Sequence, residues 1–392
     1  MTYNRLILLI DLFKKEYEEI DLEDDIIEEK IGGIGINEYI MEKSNRNSVI
    51  IGTGPLTGSL TLGSCIGVLS GFSPVTAKLE HVVIDWHFSP ELKFAGYDFL
   101  VIKNKSLEPV FLWIHDEIAD IMNAHDYWGL DARTTTEKIR TDLGYENVQV
   151  LNIGIPGEYR KNISSFGLNY TLLRDPYALS AVFGEKNLKA VAVAGLGDLY
   201  PHDPEEFIKL SEKVIDRLRN NKSAIELMEN GNISLLDGAH VLEGKNARKR
   251  GCFSCPVACR FHILSEEICL WGLDSTDVYA MRKLDFEIET ILKIIDRCHA
   301  LGLNVEGTLD ILKKYGVEEK DALDFVEEIA RDRKKYVSEV KSSFIVQKLE
   351  KFESYRLGLL TGVCPLLIHS GVYDKEILQS LIRTAIGIET HL

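Results

Sequence analysis

The sequence predicts an α+β protein: a β-rich N-terminal domain, residues 1–196, followed by an α-helical domain, residues 197–392, that carries a cysteine cluster. In the first half, short β-branched and aromatic runs alternate with glycine- and proline-containing turns. After the connector Leu196–Pro204, apolar residues recur at the three- and four-residue spacing of amphipathic helices. Three cysteines then fall within eight residues, and they are Cys252, Cys255 and Cys259.

The strands of the first half are expected to form a largely antiparallel domain, because few helices separate them. They are predicted at Asn4–Asp11, Ser48–Thr53, Cys65–Leu69, Val82–Trp86, Phe99–Lys103, Pro109–Ile114, Gln149–Ile155 and Lys189–Ala194. Asp21–Lys30 is predicted as a charged helix or extended segment, and the glycine turn Ile31–Gly35 as a tight turn before a helix at Asn37–Lys43. Short helices are expected within Ile118–Gly144, and no internal repeat is detected.

The second half shows helical periodicity in six segments. They are Pro204–Asn220, Ser223–Glu229, Asp285–Leu301, Gly307–Tyr315, Lys320–Arg333 and Lys375–Ile386.

Composition excludes several classes of protein. The chain has 392 residues, 45% of them apolar, and a net charge of −16, which argues against nucleic acid and an anionic membrane surface as partners. No apolar run reaches the ~20 residues of a membrane span, and Leu6–Ile10 is predicted to be a strand rather than part of a signal peptide. Seven cysteines, three of them clustered, indicate a reducing cytoplasm and metal chemistry rather than disulfides.

The clustered cysteines follow the pattern CxxCxxxC. A loop with three thiolates on one side can bind three irons of a [4Fe–4S] cluster, and the last iron then needs a ligand from elsewhere. Gly251 permits a tight turn before the loop, and Pro256 stiffens it. A structural zinc site and three unligated thiols remain alternatives. Zinc sites more often use two CxxC pairs or add histidine, and His262 is the only histidine nearby.

Several segments, in order along the whole chain, resemble the tungsten-containing aldehyde:ferredoxin oxidoreductase family. They are Leu9–Leu12, Ile31–Gly35, Thr53–Gly58, Pro90–Asp98, Trp128–Gly129, Ile153–Glu158, Gly184–Ala190, Cys252–Cys259 and Leu360–Cys364. The resemblance implies a [4Fe–4S] cluster with Cys364 as its fourth ligand, and Cys269, ten residues beyond Cys259, is the alternative. It also implies a tungsten bound by two pterin dithiolenes, oxidation of aldehydes, ferredoxin as the electron acceptor, and either a homodimer or a complex with a partner subunit.

The chain departs from the family where pterin ligands are expected. Ile66 stands at an arginine position and Leu359 at an aspartate position, and His299–Asn304 replaces an Asp-x-x-Gly-Leu-Asp motif. Val83–Trp86 and Pro176–Ser180 replace glycine-rich stretches, so that Trp86 and Tyr177 add bulk where a backbone should approach the ligand. Only 104 residues separate Cys259 from Cys364, about half the span that the family has. These losses argue against bound tungstopterin.

Two functions are therefore weighed. The first is an iron–sulfur oxidoreductase of the aldehyde:ferredoxin type, which moves electrons between an aldehyde or oxo donor and ferredoxin. The second is a non-catalytic electron-transfer or assembly subunit that keeps the cluster, lacks tungstopterin, and has its cofactor cleft filled by Trp86 and Tyr177. A purely structural cluster is a weaker third possibility.

Overall fold

A computed structural model of the chain describes residues 2–44, 46–233, 239–332 and 351–392. The strands are β1 (Leu6–Asp11), β2 (Glu16–Asp21), β3 (Val49–Thr53), β4 (Gly67–Phe72), β5 (Leu79–Ile84), β6 (Phe99–Lys103), β7 (Val110–His115), β8 (Ile118–Asn123), β9 (Gln149–Ile153), β10 (Phe166–Leu168), β11 (Thr171–Leu172), β12 (Leu188–Ala194), β13 (Ala247–Arg250), β14 (Arg260–Leu264) and β15 (Cys269–Leu273).

The helices are α1 (Asp24–Lys30), α2 (Gly33–Lys43), α3 (Phe88–Phe94), α4 (Ala132–Leu143), α5 (Ile155–Glu158), α6 (Leu179–Glu185), α7 (Pro204–Asn220), α8 (Lys222–Asn230), α9 (Ser275–Met281), α10 (Ile288–Leu301), α11 (Val305–Tyr315), α12 (Ala322–Arg331), α13 (Glu353–Thr361), α14 (Pro365–His369) and α15 (Lys375–Ile386). Short 3₁₀ turns occupy His125–Tyr127, Ala239–Leu242 and Glu319–Asp321. Within the described residues, no helix is both long and apolar enough to cross a bilayer.

The first twelve strands form two six-stranded sheets, with the orders β2-β1-β6-β3-β4-β5 and β8-β7-β12-β9-β10-β11. All neighbouring pairs are antiparallel except β1 with β6 and β7 with β12. The α+β class and the largely antiparallel N-terminal half are thus confirmed.

The expectation of no internal repeat is wrong at the level of structure. The two sheets have the same topology, because strands β1 to β6 pair in the same order and direction as strands β7 to β12. A glycine and a proline follow the third strand of each repeat, at Gly54–Pro55 and Gly154–Pro156. The sequence hides the duplication because strand pairing is made by the backbone and tolerates different side chains.

The prediction of helices immediately after Ile118 is also wrong. Residues 118–123 form β8, which pairs with β7 through a two-residue turn at Asp116 and Glu117. Both turn residues have positive φ, 44° and 66°, as in the type I′ turns that match the twist of a hairpin. Such turns usually contain glycine or asparagine, so Asp-Glu gave no hairpin signal. Strand β2 was missed because all six of its residues are exposed and carry no apolar alternation.

The six helices predicted in the second half are present as α7, α8, α10, α11, α12 and α15, although residue 333 of the fifth prediction lies outside the described residues. The three-stranded sheet β13-β14-β15 was not predicted, and the cysteine loop connects its first two strands. We retain residues 1–196 and 197–392 as proposed domains.

Two buried ion pairs are formed by residues of the family-like segments. Lys93, in Pro90–Asp98, lies 3.5 Å from Asp98, and both side chains are fully buried. Lys189 is paired with Glu158, also buried, and the carboxylate of Glu158 accepts the Gly129 N–H at 2.9–3.0 Å. A buried charge needs a partner of this kind, so these segments serve the scaffold.

Each repeat receives the end of one helix from the second half of the chain. A Cβ on Gly54 would lie 2.2 Å from the Thr361 carbonyl carbon at the end of α13, and one on Gly154 would lie 1.9 Å from the Leu301 oxygen at the end of α10. Only glycine permits approaches this close. In this way α13 is brought to the Gly54 loop, and with it the segment that contains Cys364.

Candidate metal centre and adjoining cavity

The cysteine loop between β13 and β14 rests on α3. The Phe253 N–H donates to the Trp86 carbonyl at 3.2 Å. The Phe253 ring makes edge contacts with His87 and Phe94, with centroid distances of 6.2 and 5.8 Å. At Phe253 the loop is therefore held both by a backbone hydrogen bond to Trp86 and by the contacts of the aromatic ring.

Cys364 is brought to this loop by the backbone of Gly63. The Gly63 N–H donates to the Ser254 carbonyl inside the cysteine loop, and the Gly63 carbonyl accepts the Cys364 N–H, both at 2.9 Å. Gly63 has φ of +65°, and a Cβ there would lie 3.1 Å from the Cys364 Cβ. Gly63 thus joins two segments more than 100 residues apart in sequence.

The four predicted thiols interact electrostatically. Burial, followed by the charges of the neighbouring thiols, raises the pKa of Cys255 to about 12 and that of Cys364 to about 11, and it raises the pKa of Cys259 as well. Backbone N–H groups of residues 257 and 258 oppose this rise at Cys255, and those of residues 366 and 367 oppose it at Cys364. N–H groups directed at sulfur also stabilise thiolates bound to iron.

A fifth thiol, Cys65, lies beside Cys252 and was missed in the sequence. It is buried and hydrogen-bonds to Cys252, which lowers the pKa of Cys252 and raises that of Cys65. Its position within a predicted strand gave no sign of this contact.

Other cysteine and histidine side chains lie apart from these thiols. Cys269, the alternative fourth ligand, is exposed and its sulfur accepts the Trp271 indole N–H at 3.2 Å, whereas Cys298 is fully buried. His81 contacts Glu38 at 3.5 Å, and His115 contacts Asp120 at 3.6 Å. Across residues 2–44, 46–233, 239–332 and 351–392, no three Cys, His, Asp or Glu side chains are arranged to hold a single metal ion.

Arg260, next to Cys259, begins a chain of alternating charges. It pairs with Asp85 and lies 3.8 Å from Asp274. Asp274 lies 2.9 Å from Arg174, which contacts Asp277 at 2.6 Å. Arg260 therefore pairs with largely buried carboxylates rather than with a surface carboxylate. The chain balances the charges of both arginines internally.

A cavity of about 530 Å³ adjoins the cysteines. Its walls contain Cys252, Cys259 and Cys364, together with Arg174 and Arg260. Trp86 and Tyr177 are both buried but do not line it, so they do not fill it. A volume of this size is typical of small-molecule sites.

The positions expected to bind a pterin do not fit one. Ile66 and Leu359, at the arginine and aspartate positions, are 3% and 2% exposed and belong to the same apolar cluster. Asn304 caps α11 by accepting the Gly307 N–H at 2.8 Å. The side chains of Ile66 and Leu359 therefore offer neither charge nor hydrogen bonds to a phosphate. Of the three arginines of the cavity wall, Arg174 and Arg260 are already paired with carboxylates.

Comparison with known proteins agrees with this architecture. Residues 7–195 match the family described as aldehyde ferredoxin oxidoreductase, N-terminal domain. The chain is 28% identical over 344 residues to a tungsten-containing aldehyde ferredoxin oxidoreductase of Pyrococcus furiosus, covering 76% of this chain and 55% of the relative. It is 30% identical over 240 residues to an aliphatic sulfonate oxidoreductase, WOR-like subunit, of the same organism, covering 55% and 38%.

The chain spans about half the length of the curated relatives it matches, or less. A solved structure, the active-site complex BamBC of benzoyl coenzyme A reductase with 1,5-dienoyl-CoA, superposes with a TM-score of 0.71 over 96% of this chain and 65% of that one. Its identity of 22% makes this a likeness of fold alone. Through residues 7–195 and these relatives, the chain is similar to the aldehyde ferredoxin oxidoreductase family.

Proposed function

We propose that the chain is an iron–sulfur oxidoreductase of the aldehyde:ferredoxin type, with a [4Fe–4S] cluster bound by Cys252, Cys255, Cys259 and Cys364. The proposal is supported chiefly by the backbone bridge through Gly63, which holds the Cys364 segment against the cysteine loop. When bound, such a cluster takes up and releases single electrons.

The surrounding residues have distinct roles in this proposal. The cavity beside Cys252, Cys259 and Cys364 holds the aldehyde or oxo substrate close to the cluster. Arg260 places a positive charge beside two cysteine ligands and stays in place because Asp85 binds it. Ferredoxin or another redox protein is the proposed electron acceptor. Free thiols of this kind persist in a reducing compartment, so the cytoplasm is the proposed location.

A second candidate is an electron-transfer subunit without tungstopterin. It is favoured by the apolar contact cluster that contains Ile66 and Leu359, where the family resemblance implies an arginine and an aspartate. One relative is itself described as a WOR-like subunit, which supports assembly with a partner chain or with a second copy of this chain. In this case the substrate would be oxidised on another subunit.

Elemental analysis of protein purified without oxygen tests these proposals. Four irons per chain with stoichiometric tungsten or molybdenum would support the oxidoreductase and refute the loss of the pterin site. Four irons alone would support the subunit. One zinc without iron would refute both.

Replacement of single cysteines tests the ligand set. Cys364→Ser is expected to lower iron content and to make the remaining cluster labile, because a hydroxyl is a poor ligand for iron in a thiolate site. Cys269→Ser is the matched control, since Cys269 is exposed and outside the thiol group, and it is expected to keep four irons. If Cys364→Ser retains a full, stable cluster and Cys269→Ser does not, the assignment of the fourth ligand is wrong.

A further inference from the structure

The four proposed ligands differ in their position relative to the cavity. Cys252, Cys259 and Cys364 line the cavity, whereas Cys255 does not and is followed by the exposed Pro256. A cluster held by these thiols would therefore lie between the cavity and the solvent-facing side of the loop. An electron leaving it would reach the surface around Cys255.

The strand that leads into this loop is strongly basic. Residues 245–250 read Lys-Asn-Ala-Arg-Lys-Arg, in a chain whose net charge is −16. Lys245 pairs with Glu289, and Lys249 binds backbone carbonyls at the end of α8. Arg248 and Arg250 are exposed, and in the described part of the chain neither forms an ion pair. Two uncompensated arginines beside a candidate redox centre, on an acidic protein, call for a functional explanation.

These arginines are continuous with an apolar strip that crosses the loop. The charge of Arg250 acts on His87, and the His87 ring contacts the half-buried Phe253. The next residue, Ser254, donates its hydroxyl to the carbonyl of Leu60 at 3.4 Å. The Leu60 side chain is 74% exposed.

We propose that this basic and apolar strip, formed by Arg248, Arg250, His87, Phe253 and Leu60, is the docking surface for a small acidic electron-transfer protein of the ferredoxin class. The inference deepens the proposed function, on which it rests, by naming the surface through which the cluster exchanges electrons. Transient redox complexes bury little area, so a small strip of this kind suffices.

Charge complementarity is the argument for an acidic partner. The chain as a whole is negative and repels an acidic protein, so the two exposed arginines supply a local attraction at the strip. Steering of this kind raises association rates by about 10- to 1,000-fold at low ionic strength and is screened by salt. Leu60 supplies the apolar contact that remains once the partner has docked.

The test uses anaerobically prepared full-length protein and an acidic bacterial-type ferredoxin as the probe. One electron passes from reduced ferredoxin to the oxidised cluster, and its rate is followed by stopped-flow absorbance at low and high ionic strength. The double substitution Arg248→Glu with Arg250→Glu is expected to lower the second-order rate about 10- to 100-fold at low ionic strength. Added salt should then raise the rate rather than lower it, because only repulsion from the acidic chain remains to be screened. Reduction by methyl viologen, which needs no docking surface, and the iron content should be unchanged.

The matched control reverses the charge of two exposed lysines elsewhere in the chain. Lys313→Glu with Lys314→Glu changes the net charge equally on exposed residues of α11, far along the chain from the cysteine loop. It should leave the ferredoxin rate within about twofold of the original. Equal slowing by both double variants would show that net charge alone acts, and it would overturn the proposal.

Binding of oxidised ferredoxin, measured by calorimetry at low salt, gives a second readout that needs no electron transfer. Affinity at least tenfold weaker for the Arg248→Glu, Arg250→Glu variant supports the proposal, whereas unchanged affinity together with an unchanged rate overturns it. A chain that contains no iron refutes the proposed function, yet the calorimetric comparison still decides whether this surface binds an acidic protein.

Discussion

The buried pair Lys93–Asp98 offers a quantitative test of how the family-like segment at Pro90–Asp98 acts. The Lys93 ammonium lies 3.5 Å from the carboxylate of Asp98 and donates to the Gly54 carbonyl at 3.0 Å. It also lies 4.6 Å from the centre of the Tyr3 ring. Burial lowers the pKa of Lys93 from 10.5 to about 8 despite the attraction of Asp98. Burial also raises the pKa of Asp98.

The magnitudes follow from these distances. At an effective dielectric constant of about 20, two charges 3.5 Å apart attract by about 5 kcal/mol. The lowered pKa of Lys93 means that burial destabilises its charged form by about 3 kcal/mol more than the interactions with Asp98 stabilise it. Lys93→Met or Asp98→Asn alone leaves one buried charge without its partner, and each should lower the free energy of unfolding by about 3–5 kcal/mol. The double variant should lose only about 2 kcal/mol, for the unpaired Gly54 carbonyl.

The pH dependence has a definite sign. Between pH 8 and 10.5, the unfolded chain holds a proton that the folded protein has released from Lys93, so the free energy of unfolding rises with pH. The unmodified protein should gain about 3 kcal/mol across this window relative to the Lys93→Met, Asp98→Asn double variant, which carries neither group. The gain should be complete above pH 10.5 and absent below pH 8.

Reversible guanidinium unfolding measures both effects. Lys138→Met is the control, because Lys138 and Asp142 form an exposed pair at 2.9 Å whose loss should cost about 0.5 kcal/mol or less. If the losses from Lys93→Met and Asp98→Asn simply add in the double variant, the two groups are not coupled and the reasoning fails. A flat pH profile relative to the double variant would contradict the lowered pKa of Lys93.

Three further substitutions test the site. Gly63→Ala should lower the free energy of unfolding by about 1–3 kcal/mol, because φ is +65° and the new Cβ would lie 3.1 Å from the Cys364 Cβ. Iron retention on dilution should fall with it, and unchanged iron retention would contradict the bridging role of Gly63. Arg260→Gln should lower the free energy of unfolding, measured by thermal denaturation, by about 3–5 kcal/mol, because it leaves Asp85 buried without its partner. Arg260→Lys should recover part of the loss, and equal losses for both variants would argue against a charge effect. Leu359→Asp should lower the free energy of unfolding, measured by chemical denaturation, by at least about 3 kcal/mol, because it places a charge in the apolar cluster. An unchanged free energy of unfolding would mean that the cluster admits water and charge.

Much of the fold could be predicted because it depends on local pattern. The helices α7 and α15 match their predictions end to end, since each has an Asp cap at its N-terminus and a regular apolar face. Most buried strands were found from their β-branched runs. The exceptions depend on contacts that no local pattern reveals. The sheet β13-β14-β15 contains a basic edge strand, Ala247–Arg250, whose partner lies beyond the cysteine loop.

The candidate site was predicted in part. Spacing indicated Cys252–Cys259 as a candidate metal loop, and the segment around Cys364 carried the family pattern. Cys65 could not be found, because its contact with Cys252 arises from tertiary packing between residues 187 positions apart. The partners of Arg260 were equally hidden, since Asp85 precedes it by 175 positions. The sequence therefore indicates the candidate ligands of a centre more readily than the residues that surround them.

The duplicated junctions explain why the family resemblance remains readable although other residues stand at the positions where pterin ligands are expected. At one junction Gly362 ends α13 and its carbonyl accepts the Ile66 N–H at 3.0 Å, and at the other Gly302 ends α10 and its carbonyl accepts the Ser165 N–H at 2.8 Å. Both bonds are made by the backbone, so they persist whichever side chains stand three residues earlier.

Those side chains are Leu359 in the first junction and His299 in the second, where the family resemblance implies aspartates. The residue two positions after each glycine then starts the next helix, and it is Cys364 in one junction and Asn304 in the other. The scaffold therefore constrains the glycines and leaves the neighbouring positions free to change. On this reasoning a pterin site can be lost without disturbing the junction that presents Cys364, which is why the two centres need to be tested independently.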